Sequence, residues 1–155
     1  MRLSKNFVLS EITRSNTAKR LGIDNEPTKK DLENIQRLIT NILQPLRNHL
    51  GPIRISSGYR NKELNRAIGG STKSQHSKGE ALDIQFWREG KMCNKEVYDW
   101  IIDNAIEFDQ MINEFDFAWI HISLKKSNNR REVLEAYKDK DGDTKYRYAP
   151  DIITL

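Results

Sequence analysis

Apolar residues recur at the i, i+3, i+4 spacing of one helix face from Leu32 through Ile35, Leu38, Ile39, Ile42 and Leu43 to Leu46, just after Thr28, a good N-cap. The pattern predicts one long helix laid on a core as scaffold, kinked or ended by Pro45 and stopped by Gly51-Pro52. Ahead of it the chain is also helical in character, with Ser10 placed to cap a short first helix. Beyond it the period changes. Residues 53–56 predict a short strand, Ser57-Gly58 a turn, and Asn61 the cap of a helix that runs to Ile68 and is closed by Gly69-Gly70. The polar, glycine-containing run 71–80 predicts a loop. In the strand expected over 81–86, Leu82, Ile84 and Phe86 alternate with Ala81, Asp83 and Gln85, so Asp83 points away from the aliphatic face.

Asn94 predicts the N-cap of a helix reaching about Phe108, with Val97, Trp100, Ile101, Ala105 and Phe108 on its apolar stripe. Two short strands are expected next, near 110–113 and 117–123. In the second, Ala118, Ile120 and Ile122 share one face while Trp119, His121 and Ser123 share the other. The segment 132–148, around Asp141-Gly142, predicts a hairpin.

No repeat and no low-complexity segment interrupts this order, which leaves one mixed domain over residues 1–155. A chain of this length hides roughly 70% of its unfolded surface, so a metal is not needed merely to fold it, and one found here would serve chemistry. With Cys93 as the single cysteine, an internal disulfide and a multi-cysteine zinc site are excluded, leaving His, Asp and Glu as ligands. No apolar run approaches the ~18 residues of a membrane span, and the N-terminus lacks the apolar stretch of a secretory signal, so the expectation is a protein made in the cytoplasm. The formal net charge of +4 favours an anionic partner, though a solvated surface of mixed charge has the same balance. No aromatic stacking motif points to nucleic acid.

Two of the three histidines lie in the most unusual local sequences, Ser74-Gln75-His76 running on to Gly79-Glu80-Ala81-Leu82-Asp83, and Trp119-Ile120-His121-Ile122-Ser123. Two imidazoles and one carboxylate fill three positions of a tetrahedral zinc site and leave the fourth for water, as hydrolysis requires. Equally, a strand histidine beside Trp119 can be a packed ring, and Asp83 an acceptor for a neighbouring loop. Spacing alone leaves both readings open.

The paired motifs resemble the zinc-binding signature of peptidase family M15, whose carboxypeptidases and phage endopeptidases cut peptidoglycan stem peptides. Ser56-Ser57-Gly58-Tyr59-Arg60, Leu64-Asn65 and Gly69-Gly70-Ser71 resemble the stretch before the first ligand in the short, single-domain members. Asn6-Phe7, Leu9-Ser10-Glu11 and the segment 17–22 resemble their N-termini, so the likeness covers most of residues 6–123. It implies an α+β fold of the hedgehog/DD-peptidase kind: a small, mainly antiparallel sheet with helices on one face and the metal on the other. It implies one zinc ion per chain on His76, Asp83 and His121, in a monomer acting on a stem peptide.

Members with a glutamate three residues before the second histidine use it as general base, but that position here is Ala118. Glu114 resembles an acidic residue that precedes the Trp-x-His-x-Ser element in the short group and is the expected base, ahead of Asp116 and Glu80. Arg60 matches the arginine that approaches the substrate near the scissile bond. Gln75, with Ser74, is expected to line the cleft or support His76, and Trp119 to serve as core or as substrate wall. Cys93 and His49 are expected to be structural. The implied activity is a D-Ala-D-Ala carboxypeptidase-like or lysin-like cut, reached after lysis or holin-mediated release. Ala118 keeps a second reading open, a zinc-retaining pseudoenzyme that binds wall fragments or a protein.

Overall fold

The computed structural model describes residues 1–104 and 106–150. Helices α1 (Leu9–Thr13) and α2 (Asn16–Leu21) open the chain. Ser15 caps α2 by accepting from the Ala18 amide at 3.1 Å. At α1 the expectation is corrected: Val8 holds the cap position and Ser10 lies inside the helix. The valine side chain has no acceptor; the Val8 carbonyl accepts the Glu11 amide at 3.1 Å, and the Glu11 carboxylate reaches back to accept the Val8 N–H at 2.8 Å.

Thr28 does cap α3 (Lys29–Leu38), accepting from the Asp31 amide at 3.1 Å. Pro45 does not end the predicted long helix. Residues Ile39–Leu43 widen into a π-helical turn, and α4 (Gln44–Leu50) carries the chain to Gly51. Proline has no N–H for the carbonyl four residues back and crowds it. A wider turn just before Pro45, in which the Gln44 N–H reaches the Ile39 carbonyl, relieves both demands. From Ile35 to Leu46 the stripe is buried as its spacing predicts.

Strand β1 (Arg54–Ser57) leads to α5 (Lys62–Ala67), whose Asn61 cap accepts from the Leu64 amide at 2.8 Å. Within the stretch expected to be loop, Gln75–Lys78 forms a 3₁₀ turn before β2 (Ala81–Gln85). A small ribbon, β3 (Trp87–Arg88) and β4 (Lys91–Met92), was not foreseen. Its turn residues Glu89 and Gly90 both have positive φ (50° and 77°), as a two-residue hairpin requires. Helix α6 (Asn94–Asp103) stops short of Phe108, and Cys93 rather than Asn94 holds its cap position. The Asn94 side chain is used elsewhere: it accepts the Phe86 N–H and donates to the carbonyls of Phe117 and Ala118, pinning the helix start to two chain crossings. Val97, Ile101 and Phe108 are buried as expected, whereas Ala105 lies outside the described residues.

The remaining strands are β5 (Gln110–Glu114), β6 (Trp119–Ser123), β7 (Glu132–Lys138) and β8 (Thr144–Tyr148). They complete a six-stranded sheet in the order β1-β2-β6-β5-β7-β8, antiparallel throughout except for the parallel β5–β7 pair. The architecture is α+β, as expected. Leu82, Ile84, Ile120, Ile122 and Met111 turn one face of the sheet onto the apolar residues of α3, α4 and α6. Each such side chain, fully buried, contributes about 1.5–3 kcal/mol, and Ile122→Ala at the centre is expected to destabilise by about 2–5 kcal/mol. Period-two alternation then sends Asp83, His121 and Glu114 to the opposite face. Among the described residues no helix is long and apolar enough to cross a membrane.

Candidate functional site

Asp83 on β2 and His121 on β6 are direct partners across an antiparallel pair, so their side chains rise side by side from the open face. His121 Nδ1 lies 3.0 Å from Asp83 Oδ1. His76 reaches the same oxygen from the 3₁₀ turn, its Nε2 at 3.4 Å. Its ring and that of His121 meet edge to face, with centroids 5.2 Å apart.

The local backbone fixes His76 twice. Its Nδ1 donates to the Gly58 carbonyl at 2.8 Å, which places the proton on Nδ1 and leaves the Nε2 lone pair facing Asp83. Gly58 can offer that carbonyl because the chain passes very close to α1: a Cβ at this residue would lie 2.1 Å from the Ile12 carbonyl oxygen. Gly79 ends the turn with φ +72°, and a Cβ there would meet the Asp31 carbonyl at 2.4 Å. Contact thus requires glycine at both positions, and at Gly79 the left-handed conformation requires it as well.

Donor atoms about 2.0–2.1 Å from a tetrahedral zinc ion stand about 3.3 Å apart. The separations of 3.0 and 3.4 Å between the two nitrogens and Asp83 Oδ1 match that edge, and all three donors lie within 4.8 Å of one another. His76, Asp83 and His121 can therefore hold one metal ion. Burial works against the Asp83 charge, but the hydrogen bond from His121 and the neighbouring His76 ring outweigh it and hold the carboxyl well below the usual range. The ligand is already ionised. A second acidic group, Asp139, Asp141 and Asp143, lies in the β7–β8 turn, where Asp139 Oδ1 accepts the amides of Asp141 and Asp143 at 2.8 and 2.9 Å as part of the turn itself.

The triad opens into a cleft of about 710 Å³ whose walls include Arg60, Gln75, Glu114, Trp119, Arg130 and Tyr146. All four of the other expected site residues thus meet here. Glu114 ends β5 on the same face as His121 and is only 8% exposed. Among the described residues no side chain donates to its carboxylate. Burial pushes it up to about 7, with His121 pulling it down and the Asp83 charge adding to the rise. The two other carboxylates weighed as bases are set aside by position: Asp116 is in the exposed β5–β6 turn, and Glu80 borders a different cavity.

That turn is unusual. Phe115, Asp116 and Phe117 all have positive φ (52°, 54° and 62°), a left-handed path that L-residues adopt at a cost of roughly 1–2 kcal/mol each. Asn113 Oδ1 accepts the Phe117 amide and helps hold the turn. The path sets Phe115 edge to face against Trp119 on the cleft wall, with ring centroids 5.5 Å apart.

Arg60 also borders the cleft beside the metal group. Its guanidinium donates to the hydroxyls of Ser57 and Ser74 at 3.2 and 3.4 Å, while its buried Nε has no partner among the described residues. Burial lowers its pKa and the Asp83 charge acts against that. Gln75 donates to Asp109 Oδ2 at 3.0 Å, which aligns the residue next to His76. Asp109 is buried and forked by Arg130 (Nε–Oδ1 3.1 Å, Nη2–Oδ2 2.8 Å), so Arg130 becomes part of the cleft wall. Sequence reasoning missed Asp109, Arg130 and Tyr146. Only the alternation of the last hairpin marks Tyr146 as facing the open side. Of the remaining pair, His49 stacks on Trp100 at 5.5 Å and Cys93 is half-buried.

Two imidazoles and a carboxylate about one point, beside a second buried carboxylate, are the apparatus of a metal-dependent hydrolase. The family model described as Peptidase M15 matches residues 5–123, and the chain belongs to that peptidase family. The matched span runs through β6 and includes the whole triad, Arg60 and Glu114. Comparison with curated proteins finds none that matches.

Proposed function

We propose that this protein is a zinc peptidase that hydrolyses a peptide bond of the peptidoglycan stem, with His76, Asp83 and His121 as the metal ligands. The observation that carries the reading is the convergence of three donor atoms within 4.8 Å of one another in a cleft that also contains Glu114. The zinc would polarise the scissile carbonyl and bring the pKa of a water toward ~7. Glu114 accepts a proton from the attacking water and returns it to the departing amine as the C–N bond breaks. A carboxyl near 7 suits both halves of that cycle, and a neighbouring cation would draw it lower into the ionised form that accepts the proton. Arg60 holds the negative charge that develops on the former carbonyl oxygen. Gln75 and Trp119 bound the space for the substrate. The positive net charge favours approach to an anionic wall, reached after release from the producing cell.

Incubation of the zinc-loaded protein with defined muropeptides, followed by mass spectrometry, tests the reading. Loss of one terminal alanine identifies a carboxypeptidase, and release of a longer piece identifies an endopeptidase. Glu114→Gln should keep the zinc and lose turnover. If the unmodified, zinc-loaded protein cleaves no muropeptide, the peptidase reading fails and the binding role left open by Ala118 takes its place.

A further inference from the structure

A second groove, of about 650 Å³, lies against the first and shares Arg60 with it. Its charge is one-sided. Arg14, Arg54 and Arg60 line it together with Ser15, Asn16 and Thr17, and no acidic residue does. Three arginines outside it pair with carboxylates, Arg88 with Glu96, Arg130 with Asp109 and Arg147 with Glu135; what sets the groove apart is that three cations share one concavity without an acidic residue in its lining. Among the described residues none of the three groove arginines has a carboxylate within 4.0 Å, although Arg54 lies 5.8 Å from the Trp87 ring centroid. Three guanidinium groups facing one concavity repel each other, and an anion there would remove the repulsion.

The groove also has a backbone wall. β1 is the first strand of the sheet order and among the described residues pairs with β2 alone, and its residues Arg54–Ser57 border this groove. A free strand edge offers main-chain hydrogen bonds to an extended peptide. We propose that the groove is a subsite for an extended, carboxylate-bearing segment of a peptide ligand, laid along the outer edge of β1 and continuous with the cleft at Arg60. Main-chain bonding to β1 selects an extended peptide, and Arg14 and Arg54 select its negative charge. That the ligand is the peptide being cut rests on the peptidase reading above; the need for negative charge does not.

Fluorescence anisotropy with two dye-labelled hexapeptides, one alternating glutamate and alanine and the other glutamine and alanine, tests this on the full-length protein. The acidic probe should bind at least about tenfold more tightly at low salt, in keeping with two charge-assisted hydrogen bonds. The advantage should shrink as salt rises. The double variant Arg14→Gln/Arg54→Gln should lose it, and because both residues are exposed its melting temperature should match the parent's. Arg14→Gln and Arg54→Gln singly should each lose part of the gain. Equal affinity of the parent for the two probes, or an undiminished preference in the double variant, overturns the proposal. Failure of the peptidase reading looks different: no muropeptide is cleaved while the acidic probe keeps its advantage.

Discussion

The two ends of β5 carry buried carboxylates in opposite states. Asp109, just before the strand, is forked by Arg130 and bonded by Gln75, and these partners outweigh its burial and hold it at about 2. Glu114, at the far end, is nearly as buried but among the described residues has no cation paired with it, and burial pushes it to about 7. Burial alone therefore decides little. A carboxylate satisfied by a fixed guanidinium is part of the framework, whereas one desolvated without such a partner is ready to exchange a proton near neutral pH.

The largest effect should come from removing what each end serves. Chelation of the metal, or Asp83→Ala, should bring hydrolysis of a susceptible muropeptide to the level without enzyme, read by chromatography of the products. Glu114→Gln should lower kcat about 10²–10⁴-fold with zinc content unchanged. If that variant keeps parental kcat, the chemical half of the comparison is broken. Arg60→Met should lower kcat about 10²–10³-fold, as loss of one donor to a developing oxyanion does.

Stability sharpens the contrast because the two groups should give opposite pH slopes. Asp109 is depressed in the folded state, so its contribution is fully present above the unfolded value near 4 and is lost as pH falls toward about 2. Asp109→Asn should therefore destabilise the protein by roughly 2 kcal/mol at pH 7 and by little below pH 2, measured by urea unfolding. Glu114 is raised, so the folded protein without metal binds the extra proton between about 4.3 and about 7, and the penalty for ionising it is complete only above about 7. Metal-free Glu114→Gln should match the parent at pH 4 and exceed it at pH 8 by on the order of 3 kcal/mol. Parallel pH profiles for the two variants would refute the comparison.

Much of the site was legible because it follows from alternation. The positions of Leu82, Ile84, Ile120 and Ile122 determine which way Asp83 and His121 point, and a core needs only that pattern to orient the strands. The long stripe from Leu32 to Leu46 was legible for the same reason, although the π-helical turn that lets it pass Pro45 was not. The helix starts at Ser10 and Asn94 were misassigned because a capping side chain is defined by where its hydrogen bonds go. Glu11 returns to Val8, and Asn94 is taken by Phe86, Phe117 and Ala118.

By itself the sequence determined the apolar periodicities, and with them the order of elements in a mixed domain and the face, opposite the aliphatic one, that carries Asp83 and His121; its motifs singled out His76, and their resemblance to a known family implied the α+β architecture. Only the tertiary structure decided that His76 donates to Gly58 and so turns Nε2 to the other two donors, that Glu114 is unpaired while Asp109 is forked, and that Arg60 joins two grooves. The physical reason is range. Periodicity is written in neighbours a few residues apart, whereas tautomer, protonation and charge depend on atoms brought within about 3 Å from positions far apart in the chain.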